Sequence, residues 1–177
     1  MNDIKLNIDL TKTVKFQTQF DSIFGDKTGQ QVACARASKK MIINAGFQSV
    51  DAVGRIDTVV YDSKRALIVS KDIDQARLQL IKNFEEGKPT LVAVNRSTKD
   101  VGNANKASNH YVVIVGRFYN IDIDKYEYRF YDPGTSHSEK GTARSNIFTW
   151  NSKKQWWEGI SQYCGKLYII TEIRPTL

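Results

Sequence analysis

The sequence predicts an α+β fold in which an N-terminal helix packs against an antiparallel sheet. Two observations lead to this prediction. The chain has 177 residues, a length typical of a single domain, so we expect one domain over residues 1–177. Helical periodicity comes first along the chain, and strand-like runs with hairpin-like links follow it, an order typical of α+β proteins.

The N-terminal part predicts a strand, a loop and a helix. Residues 4–16 contain two short alternating stretches, which indicate a strand or an extended arm. Residues 25–31 are polar, contain two glycines and predict a loop. From Cys34 onward, small or apolar residues recur at helical spacing as far as Gly46, which has the position of a C-cap glycine. We therefore expect Cys34 in the first turn of a helix with one buried face.

The remainder of the chain predicts a second helix and a sheet. Residues 58–70 are strand-like, and residues 75–86 carry an apolar helical stripe that ends before a Gly-Lys-Pro sequence. An Asn-rich polar loop is expected over residues 96–109, and a short helix around residues 153–160. Four further strands are expected, at residues 90–94, 110–117, 126–131 and 166–173.

The composition narrows the class of partner. The chain has 26 Lys and Arg against 19 Asp and Glu, a formal charge of +7, which favours anionic partners such as a bacterial cell wall. The basic residues are scattered rather than clustered in a stripe or an arm, so we expect no nucleic acid among the partners. No apolar stretch is long enough for a secretory signal or a transmembrane helix, which predicts synthesis in the cytoplasm and no transmembrane segment.

Three residues, in the order Cys, His, Asp, have the chemistry of a thiol hydrolase. Cys34 at a helix N-terminus would have a lowered thiol pKa, because the free N–H groups and the helix dipole stabilise a thiolate. His110 opens the most apolar strand and could face that helix end as a general base. Asp132 ends the next strand and could accept a hydrogen bond from the His110 ring, which would fix the tautomer of the imidazole.

Each of these residues also has a structural interpretation. A Cys on a buried helix face is most often a core residue, a half-buried His often makes a single hydrogen bond, and Asp-Pro-Gly is a common turn. Asn109 is a second candidate for orienting the histidine. An oxyanion hole would use the Cys34 backbone N–H and the side-chain amide of Gln30 or Gln31; we prefer Gln31, although the sequence does not separate the two.

These motifs together resemble a known family. The polar loop before Cys34, the Asn-His-Tyr-Val-Val-Ile-Val-Gly sequence at 109–116 and the Tyr-Asp-Pro-Gly sequence at 131–134 are similar to the papain-like cysteine peptidases. The closest branch is that of the bacterial double-glycine leader peptidases. The resemblance covers roughly residues 28–135 and implies a papain-like fold, with Cys34 as nucleophile. In that family the oxyanion glutamine usually lies further ahead of the cysteine than Gln30 or Gln31 does.

The resemblance also implies the roles of base for His110 and orienting group for Asp132. The sequence therefore predicts a cysteine peptidase or amidase that works through an acyl-enzyme. Similarity to exported bacterial amidases implies peptidoglycan peptides as substrate, delivery by a specialised secretion system and a cognate inhibitor, or immunity, protein as partner. No metal or other cofactor is expected, because the two Cys and two His residues have no ligand spacing.

Two alternatives stay open. One is a protein-directed cysteine peptidase, including a secreted toxin. The other is a non-catalytic binding module whose aromatic side chains form a recognition surface. The ordinary explanation of these aromatic residues is instead that they pack in the core. The aromatic residues concerned are Tyr126, Tyr128, Phe130, Trp150, Trp156 and Trp157.

Overall fold

The computed structural model describes residues 7–64, 67–96 and 108–177, and most of its regular structure is antiparallel strand. In chain order the strands are β1 (Ile8–Asp9), β2 (Ile56–Asp57), β3 (Val59–Asp62), β4 (Leu67–Ser70), β5 (Thr90–Asn95), β6 (His110–Asn120), β7 (Lys125–Tyr131), β8 (Ile147–Asn151), β9 (Trp156–Ile160) and β10 (Leu167–Arg174). The helices are α1 (Lys27–Gln31), α2 (Cys34–Asn44), α3 (Ile73–Glu85) and α4 (Ser138–Gly141), with 3-10 turns at Ser22–Phe24 and Ala52–Gly54.

Six of the strands close into a barrel. The order is β6-β5-β10-β9-β8-β7, and β7 pairs back onto β6 to complete the ring. Strand β6 makes closure possible because it is long: its first half pairs with β5 on one side, and from Val113 onward it pairs with β7 on the other. The short strands β1 and β2 extend this sheet, while β3 and β4 form a separate two-stranded sheet.

The core is built largely from the barrel strands. Every residue of β5 is buried, and β6 is buried over most of its length. These strands therefore appear in the sequence as continuous apolar runs rather than as an alternating pattern. Phe130 stacks on Phe148 with ring centroids 4.3 Å apart, and Tyr168 lies 6.1 Å from Phe130. All three rings are buried, so they add a large apolar area to the core.

Helix α2 positions the first candidate residue. Its buried side includes Ser38, Met41 and Ile42, which follow the predicted helical spacing. The Ser38 hydroxyl donates a hydrogen bond to the backbone carbonyl of Tyr111 at 3.2 Å, which ties the helix to the beginning of β6. The helix ends just before Gly46, whose φ of 89° is the left-handed conformation predicted for a C-cap glycine.

The predicted fold class is wrong. A papain-like α+β fold requires a nucleophile helix packed against an antiparallel sheet, whereas here the sheet closes on itself as a six-stranded barrel and the helices are short. Four of the barrel strands, β5, β6, β7 and β10, were predictable because each has its own local pattern, whereas β8 and β9 were not predicted as strands. Closure was not predictable, because it depends on β6 finding partners on both sides, and pairing partners leave no local signature in sequence.

Other local predictions also differ from the structure. The loop expected over residues 25–31 contains the short helix α1 (Lys27–Gln31), which the Asp26 side chain caps by accepting from the backbone N–H of Gly29. The helix expected around residues 153–160 is strand β9, preceded by a turn in which Gln155 has a positive φ of 58°. Pairing of β9 with both β8 and β10 overrides the weak helical pattern of this segment. Of the N-terminal alternating stretches, only Ile8–Asp9 is a strand among the described residues. Most of the predicted loop 96–109 lies outside the described residues.

None of the helices formed by the described parts of the chain is long and apolar enough to cross a membrane.

Candidate active site

Three chain segments meet at one end of the barrel. Cys34 is the first residue of α2, His110 is the first residue of β6, and Asp132 directly follows the last residue of β7. Strands β6 and β7 are antiparallel neighbours, so the beginning of one lies beside the end of the other. The structure thus brings together the three residues to which the sequence assigns nucleophile, base and orienting roles.

His110 is held by a short hydrogen bond to Asp132. The ring Nε2 lies 2.7 Å from Asp132 Oδ1, and both side chains are buried. Since Asp132 is ionised, Nε2 carries the proton and donates it, which leaves Nδ1 as the ring nitrogen available to Cys34. Tyr168 packs against the imidazole, with ring centroids 5.7 Å apart, and limits its rotation.

Asp132 is a buried carboxylate with donors on both oxygens. Oδ1 also accepts from the backbone N–H of Gly134 at 2.9 Å, and Oδ2 accepts from the Ser161 hydroxyl at 2.7 Å. Burial alone would raise the pKa of Asp132, but the hydrogen bonds and the charge of His110 lower it below the ordinary 3.8. The bond to Gly134 means that the Asp-Pro-Gly sequence forms a turn and orients the histidine at the same time.

The thiol of Cys34 and the imidazole of His110 stabilise each other's charged forms. Burial raises the pKa of the Cys34 thiol, but a side-chain hydrogen bond with His110 and its positive charge outweigh this and lower the pKa below 9.0. Backbone hydrogen bonds with Tyr111 and Ala35 lower it further. Burial lowers the pKa of His110, but Asp132 first and Cys34 second raise it from 6.5 to about 9. The imidazolium of His110 therefore favours the thiolate of Cys34, and the thiolate favours the imidazolium.

A pocket of about 230 Å³ opens beside this pair. Ligand sites that enclose a whole drug-sized molecule measure about 300–1,000 Å³, so this pocket is suited to one part of a substrate. The residues that line it are Gln19, Phe20, Gln31, Cys34, Arg96, Asn109, His110, Gly134 and Tyr163.

Of the two glutamines considered for the oxyanion hole, only one has its side chain at the pocket. Gln31 lines the pocket and is exposed, whereas the side chain of Gln30 donates to the backbone carbonyl of Gly25 at 3.0 Å. The geometry therefore favours Gln31 over Gln30. Asn109, the second candidate for orienting the histidine, instead accepts a hydrogen bond from the backbone N–H of Arg96 at 3.0 Å. The partner of the imidazole is Asp132.

Sequence reasoning missed several residues of the site. Ser161 reaches Asp132 from the end of β9. Gln19 is buried, and its Nε2 donates to the backbone carbonyls of Gln30 at 3.0 Å and Gln31 at 3.3 Å, which holds the end of α1 just before Cys34. These are polar residues in segments without a motif, so no pattern in the sequence singled them out.

The remaining candidate groups lie elsewhere. Cys34 and Cys164 are both free thiols, and the sulfur of Cys164 contacts the Tyr168 hydroxyl at 3.5 Å. The exposed His137 lies 3.4 Å from Glu139. Among residues 7–64, 67–96 and 108–177, no group of three or more His, Cys, Asp and Glu side chains is placed to hold a metal ion.

The chain matches no protein-family model, and neither a curated protein nor a solved structure is detectably similar to it.

Proposed function

We propose that this protein is a cysteine hydrolase that cleaves amide bonds through Cys34, His110 and Asp132. The observation that carries the proposal is the continuous polar chain from a buried carboxylate, through a buried imidazole, to a thiol at the edge of an open pocket. A lowered thiol pKa beside a cleft is a feature of reactive cysteines, whereas structural buried cysteines are inert.

The proposed reaction passes through a thioester. The Cys34 thiolate attacks the amide carbon and forms an S–C bond, while the carbonyl oxygen takes up the negative charge of the tetrahedral intermediate. The His110 imidazolium transfers its Nδ1 proton to the leaving amine, and the C–N bond breaks. A water molecule then attacks the thioester, gives one proton to the now neutral His110, and releases the acid and the thiolate.

Two groups would stabilise the developing oxyanion. The backbone N–H of Cys34 lies at the start of α2, where the first N–H groups of a helix have no partner within the helix. The Gln31 side chain lines the same pocket and can add an amide donor. Asp132 does not touch the substrate in this scheme: it orients the imidazole and stabilises the imidazolium.

The burial of the aromatic residues favours a hydrolase over a binding module. Tyr128, Phe130 and Trp157 are buried, and Trp150 packs against Trp157 with ring centroids 4.8 Å apart. Trp156 and Tyr126 are only partly accessible. Side chains that pack against one another in the core contribute stability, and they offer little surface to a partner.

The proposed substrates are peptides of bacterial peptidoglycan, with protein-directed cleavage as the alternative. The net charge of +7 favours an anionic polymer. In this proposal the protein is an exported effector, and a cognate inhibitor protects the producing cell.

The test compares wild type with Cys34→Ala, using Cys164→Ala as the matched control. Each protein is incubated with purified peptidoglycan and, separately, with a denatured protein, and the products are identified by mass spectrometry. We expect cleavage by wild type and Cys164→Ala and none by Cys34→Ala. Activity that survives in Cys34→Ala would overturn the proposal, as would alkylation of Cys34 no faster than that of Cys164.

A further inference from the structure

An arginine shares the pocket with the candidate nucleophile. Arg96 directly follows β5, whose end lies beside the beginning of β6, and its side chain lines the pocket together with Cys34 and His110. Its backbone N–H is bonded to Asn109 Oδ1 at 3.0 Å. The proposed triad assigns no role to this cation.

The guanidinium is held in place by neutral partners. Its Nη1 donates to the Tyr163 hydroxyl at 3.3 Å, and a second side-chain hydrogen bond joins it to Tyr168. A guanidinium has five N–H donors, so hydrogen bonds to two phenols do not use all of them. Within the described parts of the chain, Arg96 takes part in no ion pair.

The hydrogen bonds of the nearby Asp132 carboxylate go to groups other than the Arg96 guanidinium. Asp132 attracts Arg96 electrostatically, but its oxygens accept from His110, Gly134 and Ser161. Arg96 is thus a half-buried, oriented cation that lines the pocket, and among the described residues its guanidinium is hydrogen-bonded to the two phenols alone. Arginine in such a position is well suited to binding a carboxylate with two parallel hydrogen bonds.

We propose that Arg96 binds a free carboxylate of the substrate, which selects amide bonds that have a carboxylate within a few bonds of the reacting carbonyl. This inference rests on the proposed hydrolase function and names the chemistry of its substrate. The small pocket, about 230 Å³, supports it because a group held by Arg96 must also lie close to Cys34.

The proposal separates the two substrate classes left open above. Peptide stems of peptidoglycan carry free carboxylates next to their amide bonds. Internal peptide bonds of a protein carry one only beside Asp or Glu, or at the C-terminus. A carboxylate requirement therefore favours peptidoglycan peptides, or the acidic and C-terminal positions of a protein chain, over general cleavage of unfolded protein.

The test uses two small alkylating agents and needs no knowledge of the natural substrate. Iodoacetate carries a carboxylate and iodoacetamide is its neutral counterpart; with either, the Cys34 thiolate forms an S–C bond and iodide leaves. Because both reagents attack the same thiolate, the ratio of their rates cancels the thiolate fraction and reports recognition of the carboxylate. The rates are measured by mass spectrometry of the Cys34 peptide in wild type, Arg96→Gln, Arg96→Lys and Arg144→Gln. Arg144 is exposed, and its replacement by Gln makes the same change in net charge.

We expect the iodoacetate-to-iodoacetamide ratio to fall about five- to tenfold in Arg96→Gln, the effect of losing one partly solvated charge-assisted pair. Arg96→Lys keeps the charge without the planar fork and should give an intermediate ratio. Arg144→Gln should keep the wild-type ratio. Circular dichroism establishes that each variant is folded, and Arg96→Lys alone decides the question if Arg96→Gln does not fold.

A wild-type ratio in both Arg96 variants would overturn the carboxylate proposal, and so would an equal fall in Arg144→Gln. These outcomes differ from failure of the hydrolase proposal. In that case Cys34 of wild type would react with iodoacetamide no faster than Cys164, whatever the ratio between the two reagents.

Discussion

Replacing Asp132 with Asn should uncouple the imidazole from its negative partner without changing the size of the side chain. In wild type, Asp132 Oδ1 lies 2.7 Å from His110 Nε2, and the carboxylate is fully buried. Asn offers an oxygen for one hydrogen bond but carries no charge. Burial, which lowers the pKa of His110, would then be opposed only by the weaker contribution of Cys34.

The size of the effect expected in Asp132→Asn follows from the pKa of the His110 imidazole. A pKa of about 9 in place of 6.5 corresponds to about 3 kcal/mol in favour of the imidazolium, at roughly 1.4 kcal/mol per pKa unit. Asp132 makes the larger favourable contribution, so its removal should cost about 2 kcal/mol and lower the pKa of His110 from about 9 most of the way towards its ordinary 6.5. The pKa of Cys34 then rises toward 9.0, because the thiolate loses its charged neighbour.

The assay is alkylation by iodoacetamide from about pH 5 to about pH 10, with the modified Cys34 and Cys164 peptides quantified separately. At neutral pH, Asp132→Asn should slow Cys34 alkylation by about 30-fold, the equivalent of about 2 kcal/mol. Its pH profile should move to higher pH, while the profile of Cys164 stays in place. Asp51→Asn is the matched control, since the Asp51 side chain is 90% exposed. An unchanged Cys34 profile in folded Asp132→Asn would refute the reasoning.

Three further predictions concern the site and the buried charges. Amide hydrolysis should decline above about pH 9, because His110 then loses the proton that it delivers to the leaving amine; a pH–rate profile that keeps rising would contradict this. Ser161→Ala removes the donor 2.7 Å from Asp132 Oδ2 and should lower the free energy of unfolding by about 2 kcal/mol in a urea titration, whereas an unchanged midpoint would mean that the bond contributes little. Arg174→Met removes the buried partner 2.5 Å from Glu172 Oε1 and leaves the carboxylate only a longer contact, 3.8 Å from Oε2 to Arg55 Nε, which should cost about 2 kcal/mol of stability. Adding Glu172→Leu should restore part of that loss, and a double variant less stable than the single one would argue against a poorly paired buried charge as the cause.

The chemistry of the site was easier to predict from the sequence than its surroundings. Cys34 could be placed at a helix N-terminus from the spacing of small and apolar residues after it, and α2 begins there. His110 could be placed at the start of a strand because the apolar run after it is so clear, and β6 begins there. Asp132 was harder to interpret, since a turn and an orienting role use the same three residues, and the structure contains both.

The residues that complete the site left no trace that a pattern could detect. Gln19, Arg96 and Ser161 are ordinary polar residues of loops and strand ends. Arg96 lines the pocket and Ser161 reaches Asp132 because the closed barrel brings the end of β5, the end of β7 and the segment after β9 together. Gln19 is held beside the end of β7 because its backbone N–H donates to the Pro133 carbonyl at 3.0 Å. Arg96 in particular looked like the first residue of a polar loop.

The sequence by itself determined the local elements and the three groups able to do thiol chemistry, because helix periodicity, apolar runs and side-chain chemistry are properties of neighbouring residues. Only the tertiary structure decided that the sheet closes and that the imidazole faces a carboxylate 22 residues away, itself bonded to a hydroxyl 29 residues further on. Closure and convergence result from the sum of many weak long-range pairings, and no single stretch of sequence contains that sum.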